Sequence, residues 1–142
     1  MTISRESAEE ALCQRDWLKA WEYWGAVWEA GGPADEWLRV MEEAVLPHAM
    51  AGDLVAQRNL GSIGISLYRS GPPEDIAPLH RALKWIVKVL RQGLSATGLQ
   101  MLVEGYDTLR RQGVLDPDIE AYLSESEPRA AWLKWSGREP LP

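Results

Sequence analysis

The feature that most limits the fold of this chain is a turn sequence that recurs about forty residues later. The five residues from Gly31, Gly-Gly-Pro-Ala-Asp, match in kind the five from Gly71, Gly-Pro-Pro-Glu-Asp. Glycine is typical of the end of one helix, and proline followed by an acidic residue is typical of the start of the next. Gly52 and Gly93 show nearly the same spacing, and Gly113 continues the series. This period predicts a fold built from stacked copies of one helical unit.

The segments between these turns predict helices. Apolar residues recur in them at spacings of three and four, and no segment shows the alternation of a strand. The chain is therefore predicted to be all-α. The predicted helix pairs lie at residues 15–30 with 34–50, at 53–70 with 75–92, and at 95–112 with a second half divided into 117–123 and 128–136.

Local sequence signals define several helix ends. A capping box that starts at Ser7 predicts a short helix before the first pair. Asp53 and Asp75 are predicted N-caps, because a carboxylate there accepts hydrogen bonds from the free N–H groups of the first turn. Pro47 is predicted to kink or end its helix, since proline has no N–H to continue the hydrogen-bond pattern.

The length of 142 residues predicts a single domain. We place repeats at about residues 13–52, 53–93 and 94–136, followed by a tail at 137–142 that is predicted to be flexible. A helix pair cannot bury its apolar face alone, so the antiparallel pairs are expected to stack into an α-solenoid with a groove. The first and third repeats are expected to be atypical, as terminal units of such arrays are.

The middle repeat carries a more specific pattern. It reads Ala-Gly-Asp-Leu-Val-Ala-Gln-Arg-Asn-Leu-Gly from residue 51, and its glycine-rich turn begins at Gly71. Ala-Leu-Lys-Trp follows from Ala82, and Gly93 closes the repeat. In these positions the chain resembles a Sel-one-like repeat, a relative of the tetratricopeptide repeat. The resemblance implies a right-handed superhelical array of antiparallel helix pairs, with a groove lined mainly by the first helix of each pair.

The flanking repeats depart from this pattern. Trp17 and Trp21 stand 40 residues before Gln57 and Gly61 of the middle repeat. Large side chains at these positions predict a wider spacing within the first helix pair. In the middle repeat, Gly61 and Gly64 predict close contact between helices, because glycine inside a helix costs about 0.5 to 1 kcal/mol relative to alanine.

Composition bears on the class of function. A net charge of −6 opposes binding to nucleic acid. No apolar run is long enough for a membrane span, and the N-terminus lacks the pattern of a secretory signal, so the protein is expected to be cytoplasmic and to have no membrane partner. His48, His80 and Cys13 have no acidic or nucleophilic residue at a catalytic spacing, so we predict no enzyme activity, no metal and no cofactor.

Charge is distributed unevenly along the chain. Residues 1–52 hold four basic and ten acidic side chains, residues 53–93 hold six and three, and residues 94–142 hold five and eight. The middle repeat is therefore a basic segment between acidic ones. It is either an electrostatic complement to a protein partner or a solvated surface.

Tryptophan is abundant, with eight residues in a chain that has no phenylalanine. Trp17, Trp21, Trp24 and Trp28 recur at helical spacing and so share one face of a helix. This stripe is interpreted either as core or as a binding surface for an aromatic or choline-like ligand.

The resemblance places a binding groove on the first helices of the pairs, and helical spacing selects the residues that face it. The predicted partner-binding residues are Lys19, Glu22, Arg58, Asn59, Ser62, Arg69, Gln100, Val103, Tyr106 and Arg110. This set combines cations, amides and one rigid aromatic, which suits recognition of a peptide or protein.

These features predict a non-catalytic module that binds a partner protein through the groove. One version is an adaptor, and another is an immunity or inhibitor protein that neutralises a cytosolic toxin. A protein that binds a small molecule through its Trp-rich first repeat is the alternative from another class, and a homodimer is also possible.

Overall fold

The structure is a computed structural model that describes residues 3–135, and that part of the chain contains eight helices and no strand. The predicted all-α class is confirmed. The helices are α1 (Arg5–Cys13), α2 (Trp17–Glu29), α3 (Ala34–Met50), α4 (Leu54–Ser70), α5 (Ala77–Gln92), α6 (Ala96–Arg111), α7 (Pro117–Ser124) and α8 (Ser126–Trp135). The predicted tail, 137–142, lies outside the described residues.

Side-chain caps begin most of these helices, but two predicted caps are wrong. Asp53 caps α4 as predicted, and its carboxylate accepts from the Ala56 N–H. The first helix is capped by Ser4, not by Ser7, and so begins earlier. Asp75 does not cap α5: the N-cap is Ile76, α5 has no side-chain cap, and Asp75 lies in the preceding turn, where its N–H donates to the carbonyl of Pro72. Helix α5 starts two residues later and has proline in its first turn, where the fixed φ favours helix.

Several helices are followed by a residue with a left-handed backbone conformation. Gly31, Gly52 and Gly113 have φ of +75°, +101° and +82°, and each lets the following N–H bond back to a carbonyl of the last turn. Arg15 does the same after α1 with φ of +62°. Pro47 does not end α3, which continues to Met50. The prediction that Pro47 ends the helix is wrong, because proline in a last turn removes only one helical hydrogen bond, whereas the alternative of a kink stays a prediction.

Two hydrophobic clusters form the core. The first is built from α1 to α4 and includes Leu38, Met41 and Leu60, all almost fully buried. The second is built mainly from α5 to α7 and includes Leu83 and Leu102. Helix α4 contributes to both clusters, and it packs against α3 on one side and α5 on the other. The middle repeat is thus the packing centre of the molecule.

Helices α4 and α5 approach closely at glycines, as predicted. A Cβ atom at Gly64 would lie 2.6 Å from the Cβ of Ala82, and one at Gly61 would lie 3.0 Å from Cγ1 of Ile86. Helices α2 and α3 pack less closely, with the Trp37 indole between them donating to the carbonyl of Ala20. This agrees with the wider spacing predicted for the first pair.

The described helices include no candidate for a membrane span. None of those within residues 3–135 combines the length and the apolar character that a bilayer span requires.

Candidate functional site

The candidate site is centred on the exposed face of α4. Arg58, Ser62 and Arg69 are exposed, and their spacings of four and seven residues place them on one side of the helix. The opposite side carries Leu60, Ile63 and Leu67, which are buried in the first core cluster. The amphipathic pattern of this segment therefore presents the three polar residues outward, and three of the ten predicted partner-binding residues share this face.

The two arginines of α4 have no acidic partner in the part of the chain that the structure describes. Among the ion pairs of residues 3–135, none within 4.0 Å involves Arg58 or Arg69. Neither guanidinium lies over an aromatic ring of the described chain. Their positive charge is available to a molecule that approaches this face.

The four cations of α5 behave differently, because each has a partner: residues outside α5 supply one for three of them, and α5 itself supplies one for Lys88. Arg81 lies 3.3 Å from the Glu42 carboxylate of α3, and Lys84 lies 3.6 Å from that of Asp116. The other two contacts are Lys88 above the Trp85 ring at 4.5 Å and Arg91 to Glu125 at 2.7 Å. Most cations of the middle repeat thus contact other side chains of the protein, and the two on α4 have no such contact within residues 3–135.

A shallow hollow lies beside Arg69, between α4 and α6. It encloses about 160 Å³. Its apolar lining includes Ile65, Leu79 and Met101, and Glu104 lies at its polar part. Gly105 is part of the lining and lets α6 lie close to α5, since a Cβ there would be 2.8 Å from Cδ2 of Leu83. One side of the α4 face therefore offers an apolar recess next to a cation.

The other side of the face is closed by a contact with α2. The Trp21 indole N–H donates to Oδ1 of Asn59 at 2.7 Å, and the Asn59 amide donates to the carbonyl of Val55 at 2.9 Å. Asn59 is half-buried. Its predicted role in binding a partner is corrected on this ground, because its amide already holds α2 against α4.

Tyr106 is a second correction. Its side chain is 2% exposed and lies in the second core cluster. Its hydroxyl accepts from the Asp116 N–H at 2.9 Å and lies 3.3 Å from the Asp116 carbonyl. Helical spacing placed it toward the groove, but the face of α6 that contains it packs against α5 and α7. A partner cannot reach this ring without opening the core.

The remaining predicted residues lie at the periphery. Lys19 and Glu22 of α2 are exposed, as are Gln100 and Arg110 of α6, whereas Val103 is half-buried. Gln100 donates to the Glu104 carboxylate at 3.0 Å, and Arg110 lies 5.8 Å from the centre of the Tyr106 ring. The structure does not unite all ten residues in one surface, and three of the exposed ones, Arg58, Ser62 and Arg69, share one face of α4.

Sequence analysis missed a polar cluster that joins α5 to α7. Nε2 of His80 lies 2.7 Å from Oδ2 of Asp116, which is 4% exposed. Oδ1 of the same carboxylate accepts from the N–H groups of Asp118 and Ile119 and so caps α7. The Asp-Pro pair at residues 116–117 was a detectable cap signal, but nothing in the sequence linked it to His80, 36 residues earlier.

This cluster predicts a specific acid sensitivity. Burial by itself raises the pKa of the Asp116 carboxyl, but the His80 hydrogen bond, the Ile119 N–H and the nearby Lys84 together hold the pKa below its ordinary value of 3.8. A group with a lowered folded pKa stabilises the fold above its unfolded pKa and loses this effect as the pH falls through the folded pKa. We therefore expect the free energy of unfolding to fall as the pH decreases below about 4.

Urea unfolding at a series of pH values measures this fall, and it should be smaller in Asp116→Asn than in the wild type. The pKa of Asp53 is also lowered, chiefly by the Ala56 N–H hydrogen bond. The variant Asp53→Asn is therefore measured in parallel, to show how much of the acid sensitivity comes from a carboxyl with a lowered pKa outside this cluster. Equal acid dependence in Asp116→Asn and the wild type would contradict the assignment.

The tryptophans divide between core and surface. Trp17 and Trp37 are buried, whereas Trp28 is 57% exposed. The Trp24 ring lies between those of Trp21 and Trp28, with centroids 5.6 and 5.8 Å away. The stripe predicted on α2 is thus core at its start and surface at its end. No group of three or more potential metal-ligating side chains occurs within residues 3–135.

No family model, no curated protein and no solved structure matches this chain. The likeness of residues 51–93 to a Sel-one-like repeat therefore rests on those residues and on the packed helices that they form.

Proposed function

We propose that this protein is a non-catalytic interaction module, a short Sel-one-like array with a right-handed superhelical arrangement of its helix pairs. Its partner is another protein, which binds the face presented by α4 and flanked by α2 and α6. The observation that carries the proposal is the contrast between the cations of α4 and those of α5. The four cations of α5 have partners, whereas Arg58 and Arg69 have none among residues 3–135.

This contrast matters because a solvated pair of arginines adds little to stability. Exposed ion pairs contribute about 0 to 1 kcal/mol each, and exposed cations without partners contribute less. Such charges act instead on approaching molecules, by raising association rates and by selecting partners of opposite charge. We therefore expect this surface to serve the recognition of a partner rather than the stability of the fold.

The proposal gives the His80 and Asp116 pair a structural role. One carboxylate oxygen is occupied by two N–H groups of α7, and the other by the imidazole. A general base needs a free lone pair directed at a substrate proton. The arrangement supports a contact that holds α7 on α5.

A capture experiment with matched variants tests the proposal. The full chain is immobilised and exposed to lysate of its own organism, in parallel with the double variants Arg58→Gln/Arg69→Gln and Arg39→Gln/Lys134→Gln. The control pair removes the same charge from exposed positions on α3 and α8. We expect a protein that is retained by the wild type and the control and is lost from the α4 variant, and that binds again as a purified component.

Two results would count against the proposal. Equal retention by the α4 variant would place the partner on another surface. If none of the proteins retained by the wild type binds it again as a purified component, the interaction role itself is contradicted.

A further inference from the structure

We infer that the partner presents an acidic segment in extended conformation along α4, with two carboxylates about four or six residues apart, one for Arg58 and one for Arg69. This inference rests on the proposed function and adds the chemistry of the ligand. It follows from the spacing of the two arginines, from the surface between them and from the charges on either side.

The spacing of the arginines gives the register of the ligand. They are 11 residues apart on one helix. This separation is about three turns, so both side chains leave the same side of α4, roughly 16 Å apart along its axis. An extended chain advances about 3.3 Å per residue, so five residues cover the same distance. Because successive side chains of a strand point to opposite faces, the nearest even spacings, four or six residues, direct both carboxylates toward α4, and the length of arginine covers the remaining difference of about 3 Å.

The surface between the arginines is low enough for a chain to lie on it. Ser62 is the exposed residue between them and has a small side chain. Ile65 is 9% exposed, so it forms part of the floor rather than a projection. The hollow of about 160 Å³ beside Arg69 is near the size that holds one benzene-sized group. We therefore expect the ligand to have an apolar side chain close to the carboxylate that binds Arg69.

The surrounding charges favour a segment with two separated carboxylates over a continuous polyanion. Glu104 lines the hollow that contains Arg69, and Glu22 follows Trp21, the residue that contacts α4. A nucleic-acid backbone carries a charge at every nucleotide and would bring phosphates against these acids. The overall charge of −6 acts in the same direction.

Selection from a random dodecapeptide library displayed on phage tests the inference directly. The immobilised full chain should enrich peptides with two acidic residues four or six positions apart and an apolar residue near one of them. The Arg39→Gln/Lys134→Gln variant should enrich the same pattern, and the Arg58→Gln/Arg69→Gln variant should not.

Affinities of a selected peptide, measured by fluorescence anisotropy, make the test quantitative. We expect each single change, Arg58→Gln or Arg69→Gln, to weaken binding about fivefold, and Arg58→Lys to restore part of the loss. The variant Glu104→Gln should strengthen binding about twofold, because it removes a like charge from the site. Thermal unfolding should be unchanged in all four variants, since these side chains are exposed.

The outcomes separate this inference from the proposed function. Enriched peptides without the acidic pair, or peptides whose affinity is unaffected by the α4 changes, overturn the inference. The interaction module then still stands if the capture experiment yields a protein partner. The inference is also overturned if the selection enriches no peptide. The proposed function fails only if the capture experiment yields no protein that binds again when purified.

Discussion

Replacing Gly64 with alanine is expected to lower the free energy of unfolding by about 2 to 3 kcal/mol. The added Cβ would lie 2.6 Å from the Cβ of Ala82 and 2.8 Å from the carbonyl oxygen of Pro78. Neither atom can move by side-chain rotation, because one is the Cβ of an alanine and the other belongs to the backbone. Helices α4 and α5 must then separate, which weakens the packing centre of the fold. This loss exceeds the gain of about 1 kcal/mol that alanine brings to a helix.

Two other glycines supply matched comparisons for this change. Gly61→Ala should cost less, because the nearest atom is Cγ1 of Ile86 at 3.0 Å, and that side chain can shift. Gly25→Ala in α2 should raise stability by about 0.5 to 1 kcal/mol, since no atom lies within 4 Å of its new Cβ. Urea unfolding followed by circular dichroism measures all three. Equal stability of Gly64→Ala and Gly25→Ala would disprove the close approach of α4 and α5.

Replacing Asp116 with alanine is expected to destabilise the protein by about 3 kcal/mol. The change removes the cap of α7, which is worth about 0.5 to 2 kcal/mol. It also removes a nearly buried charged acceptor from His80, and hydrogen bonds to charged groups contribute about 1.5 to 3 kcal/mol. Because α7 is only eight residues long, its position depends on this residue and on the Tyr106 hydroxyl.

Two variants distinguish these effects. Asp116→Asn keeps an oxygen that can cap α7 but lacks the charge, so its loss should be smaller, about 1 kcal/mol. Asp118→Asn removes a carboxylate from the same first turn, and that side chain is 80% exposed, so we expect almost no loss. Chemical denaturation with both probes, fluorescence and circular dichroism, gives the comparison. If Asp118→Asn lowers the free energy of unfolding as much as Asp116→Ala does, the effect of Asp116 comes only from a negative charge near the start of α7.

The helices were the most predictable part of this protein. The bounds of α3 agree with the predicted residues 34–50, and those of α4 differ from 53–70 by one residue. Both segments have strong apolar periodicity and clear turn residues at each end. The errors occurred where local signals competed, as at Asp75, which lies in a proline turn, so that α5 begins after Ile76 instead.

The candidate site was predictable only in part. The resemblance to a Sel-one-like repeat, together with helical spacing, selected Arg58, Ser62 and Arg69, and these do share one exposed face. The same spacing failed for Tyr106, because the pattern of α6 does not indicate which of its neighbours covers each side. It also failed for Asn59, whose partner Trp21 is 38 residues away in the chain.

The sequence by itself determined the all-α class, the order of the helices and the glycine positions at which α4 and α5 meet. These depend on backbone preferences and on periodicity, which act over a few residues. Only the tertiary structure decided which charges are free. The ion pairs that neutralise Arg81, Lys84 and Arg91 of α5 join residues 32 to 39 apart, such as Lys84 with Asp116 and Arg81 with Glu42. Ion pairing depends on distances across packed helices, so the two unpaired arginines of α4 became apparent only after the helices were assembled.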